Sequence, residues 1–511
     1  MKTTKLTVNK MKLNTIIYST KKYLFLTIFL LFSIPILAQN IEWDKSFGGI
    51  ENAGVDLPFD IHKLDSGGFI ITGIIQSDDG DVSFHHGDKD FWILKLDKNG
   101  DLEWEKTFGG SLGEGGINIS DGMTSSIITS ENTIMMTGFT DSDDGDVNDA
   151  KTTDREVWVI NVDLEGNLLW EESYIFGEES ISKAYSIIET SNGDYIIAGW
   201  VLGHENTKGK VDFFILRIDS NGNLLWKKNY GGSESESATS VVELDNGDLM
   251  VLGNTESSNG DISSNYGSRS SSSFTSDIWI IRLNNEGELI WEKNYGGSGR
   301  DGSSGSPTYR HKTSAVVDGN GHITVATRTE STDFDVESGI DVQRNIIWVF
   351  QIDGDGNIIW EQVFGNFGLQ FARDIILTES DDFVVIGLTS DVVSGDIEEV
   401  IGDQDTWIIK IDNNGSLIWE QTFGGTNKDY GQSLAQLDEN NFVGLSYTLS
   451  NDVDVSNNPG NKKYWVYKFE ISEVSDENPL DSPENLTANQ TDNAIELTWE
   501  ANSESNLAGY N

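Results

Sequence analysis

The sequence predicts an all-β chain folded as a seven-bladed β-propeller, and three observations carry that prediction. A module seen at Phe91–Gly110 (FWILKLDKNGDLEWEKTFGG) returns at Asp212–Gly232, Asp277–Gly297 and Asp405–Gly425. Its Trp recurs as Trp43, Trp104, Trp170, Trp226, Trp291, Trp360 and Trp419, at intervals of 56 to 69 residues. The first and last copies are incomplete in complementary ways. A fixed module with loops of variable length is the sign of a repeat architecture, and four-stranded units with a Trp and Gly signature indicate a propeller.

Each element has a physical reason. The strand Trp92, Ile93, Leu94 and Leu96 is apolar on both faces, as a strand covered on both sides should be. Asp97-Lys98-Asn99-Gly100 places Asp first in a tight turn and Gly where φ is positive. The next strand alternates: Leu102, Trp104 and Phe108 face one way, Glu103, Glu105 and Thr107 the other, which predicts an outer strand with one wet face. Gly109-Gly110 ends it. Two further strands, Tyr185–Glu189 and Tyr195–Gly199, flank the turn Ser191-Asn192-Gly193-Asp194. Each blade therefore holds strands A to D, with blades expected at residues 53–110, 117–177, 182–232, 236–297, 311–366, 371–425, and 432–471 with 40–49. Asn40–Gly49 is a lone D strand, and Gln432–Ile471 supplies A, B and C strands without a D. The N-terminal strand is expected to complete the last blade and close the ring, removing open edges.

Around the propeller (39–471) the chain reads as three further pieces. Met1–Ala38 reads as a signal peptide: Lys10, Lys12, Lys21 and Lys22 form a basic region, and Leu24–Leu37 an apolar core. Met11 is an alternative start. That core is short for a membrane span, so an exported mature protein with no span is expected. Ser472–Ser482 is an acidic, Pro-containing linker. Residues 483–511, with Pro483, Leu486, Ile495, Leu497, Trp499 and Gly509-Tyr510, resemble the first strands of a fibronectin type III domain. That sandwich needs about 100 residues, so this is its incomplete start. The repeats over residues 40–471 resemble those of secreted Bacteroidetes propeller proteins (GGS…DGDV…DxWxxKLDxxGNxxW). This resemblance implies a secreted or cell-surface protein, often exported by type IX secretion through a C-terminal signal, which is not visible here.

The formal charge of −50 over 511 residues repels phosphate backbones and excludes nucleic acid as a partner. It attracts divalent cations, and equally keeps an exported chain soluble. With no Cys, disulfides and thiolate chemistry are excluded.

Strand direction places the B–C and D–A loops on one face, where a binding surface is expected. The B–C loops carry Asp78-Asp79-Gly80-Asp81-Val82, Asp143-Asp144-Gly145-Asp146-Val147, Asn259-Gly260-Asp261-Ile262 and Gly395-Asp396-Ile397. Weaker forms are Asp333-Phe334-Asp335 and Asp452-Val453-Asp454, and the third blade has Gly203-His204-Glu205-Asn206 instead. Asp79, Asp81, Asp144, Asp146, Asp261 and Asp396 are candidate calcium ligands, as hard oxygen donors. The closing Glu of a calcium loop is absent, and Asp side chains capping backbone amides account for the same pattern. Calcium is the one ion this pattern suggests, and no other cofactor is expected.

The channel-lining position of strand A aligns as Asp60, Ser126, Ser186, Ser240, Ala315, Asp374 and Ser433. Asp60 and Asp374 are candidates for a glycosidase carboxylate pair. The other reading is a hydrated funnel in which Ser groups bond neighbouring blades. His85-His86 sits in an acidic loop without zinc spacing, and no GxSxG, HExxH or phosphate-loop motif occurs. The D–A loop Gly296–Thr313, with Arg300, Tyr309, Arg310 and His311, is a locally basic insertion or an anion contact.

Three functions fit. The first is a secreted binding or adhesion module for an extracellular glycan or protein. The second is a secreted polysaccharide-degrading enzyme. The third follows from a resemblance of the LD..G...W pattern to pyrroloquinoline-quinone propellers, which commonly have eight blades; no cofactor-gripping set is found.

Overall fold

The structure is a computed structural model. It describes residues 3–9, 41–50, 56–115, 124–148, 155–177, 179–203, 207–266, 275–302, 312–337, 345–390, 392–456, 458, 463–471, 484–490 and 494–500.

Residues Leu37–Ile471 form one compact unit, containing seven four-stranded antiparallel sheets. The first blade runs A Leu57–Lys63, B Phe69–Ile75, C Asp90–Leu96 and D Leu102–Phe108, and five more repeat that order. The seventh takes A Asp429–Gln436, B Asn441–Thr448 and C Tyr464–Glu470, and its outermost strand is Ile41–Phe47, antiparallel to the C strand. The A strands of neighbouring blades touch, which places them innermost.

The core lies between blades. C strands are apolar on both faces because alternate residues serve two neighbours. Phe91 meets Trp158 of the second blade with ring centroids 4.9 Å apart, and Trp92 meets Tyr464 of the seventh at 4.9 Å. The D-strand Trp residues also face a neighbour. Trp104 sits against Gly166 in the next blade's C–D turn, and its Nε1 donates to the Leu164 carbonyl at 3.1 Å. Trp291 repeats this with Gly356 and the Gly354 carbonyl, at 3.2 Å. A Cβ on Gly356 would lie 2.8 Å from the Tyr295 hydroxyl and 2.9 Å from the Trp291 ring, and its φ is +76°, so the turn Gly is fixed by both space and backbone.

The D strand departs from simple alternation. Glu105 and Thr107, expected on the wet face, are buried, while Leu102 is exposed. The ladder shifts register between Leu102 and Trp104, which breaks the period of two. Beyond the shift, hydrogen bonds from the Trp92 indole and the Ser83 amide draw Glu105 inward. A second recurrent bulge lies in the A strands, between Pro58 and Asp60, Ala184 and Ser186, Ala238 and Ser240, Ala372 and Asp374, and Gly431 and Ser433. The skipped residue is turned out of the ladder, and Phe59, Tyr185, Arg373 and Gln432 line the channel opening.

Met1–Ile36 and Ser472–Asn511 form a separate unit. In it Ala494–Glu500 pairs antiparallel with Glu484–Gln490 on one side and Thr3–Asn9 on the other. The apolar segment Leu24–Leu37, the linker Ser472–Ser482 and Gly509-Tyr510 lie outside the described residues. Among the described residues no helix is long and apolar enough to cross a membrane.

Candidate functional site

The acidic B–C loops meet the Gly-Gly turns of the preceding D–A connection. The Gly109 amide donates to Asp146 Oδ2 at 3.2 Å, and the Ser111 amide to Asp144 Oδ1 at 2.6 Å. Asp81 and Asp79 take the Gly48 and Ile50 amides at 3.0 and 2.8 Å. Asp261 takes Gly231 at 3.0 Å and Asp396 takes Gly365 at 2.9 Å. The return bond runs from the loop amide to the turn, Asp146 to the Gly109 carbonyl at 2.8 Å. Each candidate calcium ligand thus caps a backbone amide, and each clamps two consecutive blades. Among the described residues no cluster of three His, Asp or Glu side chains has metal-holding geometry. His86 lies between Asp90 and Asp146, at 3.0 and 3.3 Å.

The loop residue between the two Asp positions is left-handed. Gly80 and Gly145 have φ of 69°. In the fifth and seventh blades the same position is Phe334 (φ 59°) and Val453 (φ 57°), which carry the strain that Gly avoids. Both are exposed. With Ile50, Phe84, Leu112 and Val393 they make a set of apolar loop tips, each more than half exposed, on the B–C and D–A face.

Two further carboxylate positions escaped the sequence analysis. The first lies four residues past the second turn Gly: Glu114, Glu236, Asp301 and Asp429. Glu114 accepts the Gly110 amide at 3.2 Å and the Thr140 hydroxyl at 2.8 Å. Burial pushes its carboxyl up to about 8, that of Glu236 to about 7 and that of Asp301 to about 6. The second follows the D-strand Trp. Trp92 Nε1 donates to Glu105 Oε2 at 2.7 Å, and the Ser83 amide, just past the acidic loop, to Oε1 at 3.1 Å. Glu171, Glu292, Glu361 and Glu420 do the same for Trp158, Trp279, Trp348 and Trp407. The third blade has Phe214 for the Trp, Lys227 for the Glu and no acidic loop.

In the channel, Asp60 accepts the Ser126 amide and hydroxyl at 2.7 and 3.3 Å, tying the first A strand to the second. His62 Nε2 lies 2.8 Å from the same hydroxyl, and burial lowers its pKa. Asp374 accepts from Ser314 at 3.1 Å and Ser433 at 2.9 Å, bridging the blades on either side of its own, and the Val241 amide donates to Ser186 at 3.2 Å. Lys312 Nζ is 3.9 Å from Asp374. Burial raises the Asp374 carboxyl, with Lys312 opposing. Arg300 of the basic D–A loop is described, whereas Tyr309, Arg310 and His311 lie outside the described residues.

No family model matches the chain. A curated relative, the regulatory protein FlaEY of Caulobacter vibrioides, is 25% identical over 187 residues, 35% of this chain and 18% of its own length. The match thus spans less than a fifth of that relative. Among solved structures, a catalytically inactive Staphylococcus aureus virginiamycin B lyase with quinupristin aligns at TM-score 0.40 and 12% identity, over 84% of this chain and 100% of that one. The Neurospora crassa Pan2 WD40 domain aligns at 0.43 and 9%, over 84% and 96%.

Proposed function

We propose that this protein is an exported binding module that presents its B–C and D–A loop face to an extracellular glycan or protein. The observation that carries this is the set of exposed apolar tips on that face, two of them, Phe334 and Val453, in strained left-handed backbone. Strain of this kind persists where the surrounding frame over-determines it, and it gathers at binding sites. The carboxylate clamps supply such a frame. The basic and apolar character of residues 1–38 supports export to the cell surface or medium, with type IX secretion as the route the repeat resemblance suggests. Removal of that leader would take Thr3–Asn9 with it, leaving the fibronectin-like start at 483–511 as a spacer. Pairing of Ile41–Phe47 with Tyr464–Glu470 supports closure of the ring by the N-terminal strand, and its deletion is expected to lower the melting temperature sharply.

A second reading is a glycoside hydrolase. Asp374, raised by burial, shares the channel with Asp60, and two carboxyls in unlike environments suit acid–base division of labour. One experiment separates the two. The chain is incubated with a panel of insoluble polysaccharides, and retention and new reducing ends are measured in the same tubes. Retention without new ends, reduced by Phe334→Ser, supports the binding module. New ends that vanish in Asp60→Asn or Asp374→Asn overturn it in favour of the hydrolase.

A further inference from the structure

We propose that the mouth of the central channel is a binding site for a carboxylate, with the Arg373 guanidinium as its counter-ion. This goes beyond the loop-face reading and does not depend on it. Arg373 is the bulged residue of the sixth A strand, so the register shift between Ala372 and Asp374 turns it out of the ladder. It is 8% exposed and lines the channel opening with Phe59, Asp60, Tyr185, Lys312 and Gln432. Among the described residues its Nε meets no acceptor, and it forms no ion pair. Burial pushes the guanidinium down to about 10. A buried cation without a partner is costly, and it is tolerated where a ligand supplies the partner.

Neither nearby acid is paired with Arg373. Asp60 is bonded to Ser126, and Asp374 to Ser314 and Ser433, with Lys312 3.9 Å away to offset its charge. Among the described residues no carboxylate forms an ion pair with Arg373, and its Nε is left without a partner. Its planar fork matches a carboxylate in two parallel hydrogen bonds. Phe59 gives the opening an apolar wall and Gln432 a polar one. The space enclosed at the guanidinium is about 20 Å³, so only the carboxylate end of a ligand enters it and the rest lies in the open channel.

The test is calorimetric titration of the full chain with galacturonate, acetate and galactose at fixed ionic strength. Galacturonate and acetate are expected to compete for one site, and galactose to give no heat. Tighter binding of galacturonate would assign a sugar acid, equal binding a free organic acid. Arg373→Gln should weaken the carboxylate by about thirtyfold, because a desolvated charge pair is lost. Its melting temperature should not fall, since an unpaired buried charge is removed. Should Arg373→Gln fail to fold, Arg373→Lys keeps the charge and loses the fork, and a several-fold weakening is expected. No saturable carboxylate binding, or unchanged affinity in these variants, overturns the proposal. The polysaccharide retention experiment reads the loop face, so each idea can fail alone.

Discussion

Replacing Glu105 with Ala tests the Trp–Glu clamp. Glu105 is 9% exposed and accepts from a Trp92 indole that is fully buried, and from the Ser83 amide that anchors the acidic loop. A hydrogen bond to a charged group contributes about 1.5–3 kcal/mol, and the orphaned indole N–H has no water to turn to. The loss should be about 3 kcal/mol. At ~2.1 cal/mol/K of unfolding entropy per residue, a ring of this size shifts by about 1 °C per kcal/mol, so the melt should drop by about 3 °C. Differential scanning calorimetry reads this directly. A double-mutant cycle isolates the pair: in a Trp92→Phe background, the Glu105→Ala step should cost at least ~1.5 kcal/mol less. The chain contains its own precedent, since the third blade has lost both partners together as Phe214 and Lys227. A Glu105→Ala melt equal to wild type, or a cycle with no coupling, would refute the clamp.

Two further outcomes are expected. Val453 is exposed at φ 57°, so Val453→Gly should relieve strain and raise stability by up to ~1 kcal/mol in denaturant titration, whereas Gly145→Val at the equivalent loop position should lower it. Stability should also fall as pH rises. Burial raises Glu114 to about 8, Glu236 and Asp454 to about 7, and Asp301 and Asp405 to about 6. With folded values above unfolded ones, the folded chain holds more protons, and that contribution is lost as pH climbs from about 5 to about 8.5. Below about pH 4 the opposite sign appears, because the turn carboxylates Asp97, Asp163 and Asp219 are held low by hydrogen bonds, in each case including backbone amides. A melting temperature that climbs steadily to pH 8.5 would contradict this.

The blade count and the strand order were legible because each D strand carries one Trp and the C–D turns of the first six blades each place a Gly with positive φ against the Trp of the preceding blade. The buried face of Glu105 was not legible from alternation, because a bulge resets the period and a Trp thirteen residues earlier pulls the carboxylate inward. A signal was present nonetheless. The C-strand Trp, the Glu after the D-strand Trp and the acidic loop vanish together from the third blade, which is how members of one network behave. The acid four residues after the turn Gly was equally readable, at Glu114, Glu236, Asp301 and Asp429. For the channel, the sequence placed Asp60 and Asp374 on the inner strand, but the bulge that turns Arg373 towards the channel depends on tertiary pairing and left no local mark.

The central claim is that the acidic loops are architecture: carboxylates that cap amides and hold the loop face rigid. A calcium titration of the melting temperature tests it most directly, on the wild-type chain and on Asp144→Ala with Asp146→Ala. Calcium is expected to move the wild-type melt by no more than about 1 °C, and the double variant to melt lower with or without calcium, since two backbone amides lose their caps. A calcium-dependent rise of many degrees that disappears in the double variant would contradict it, and would make these loops metal sites.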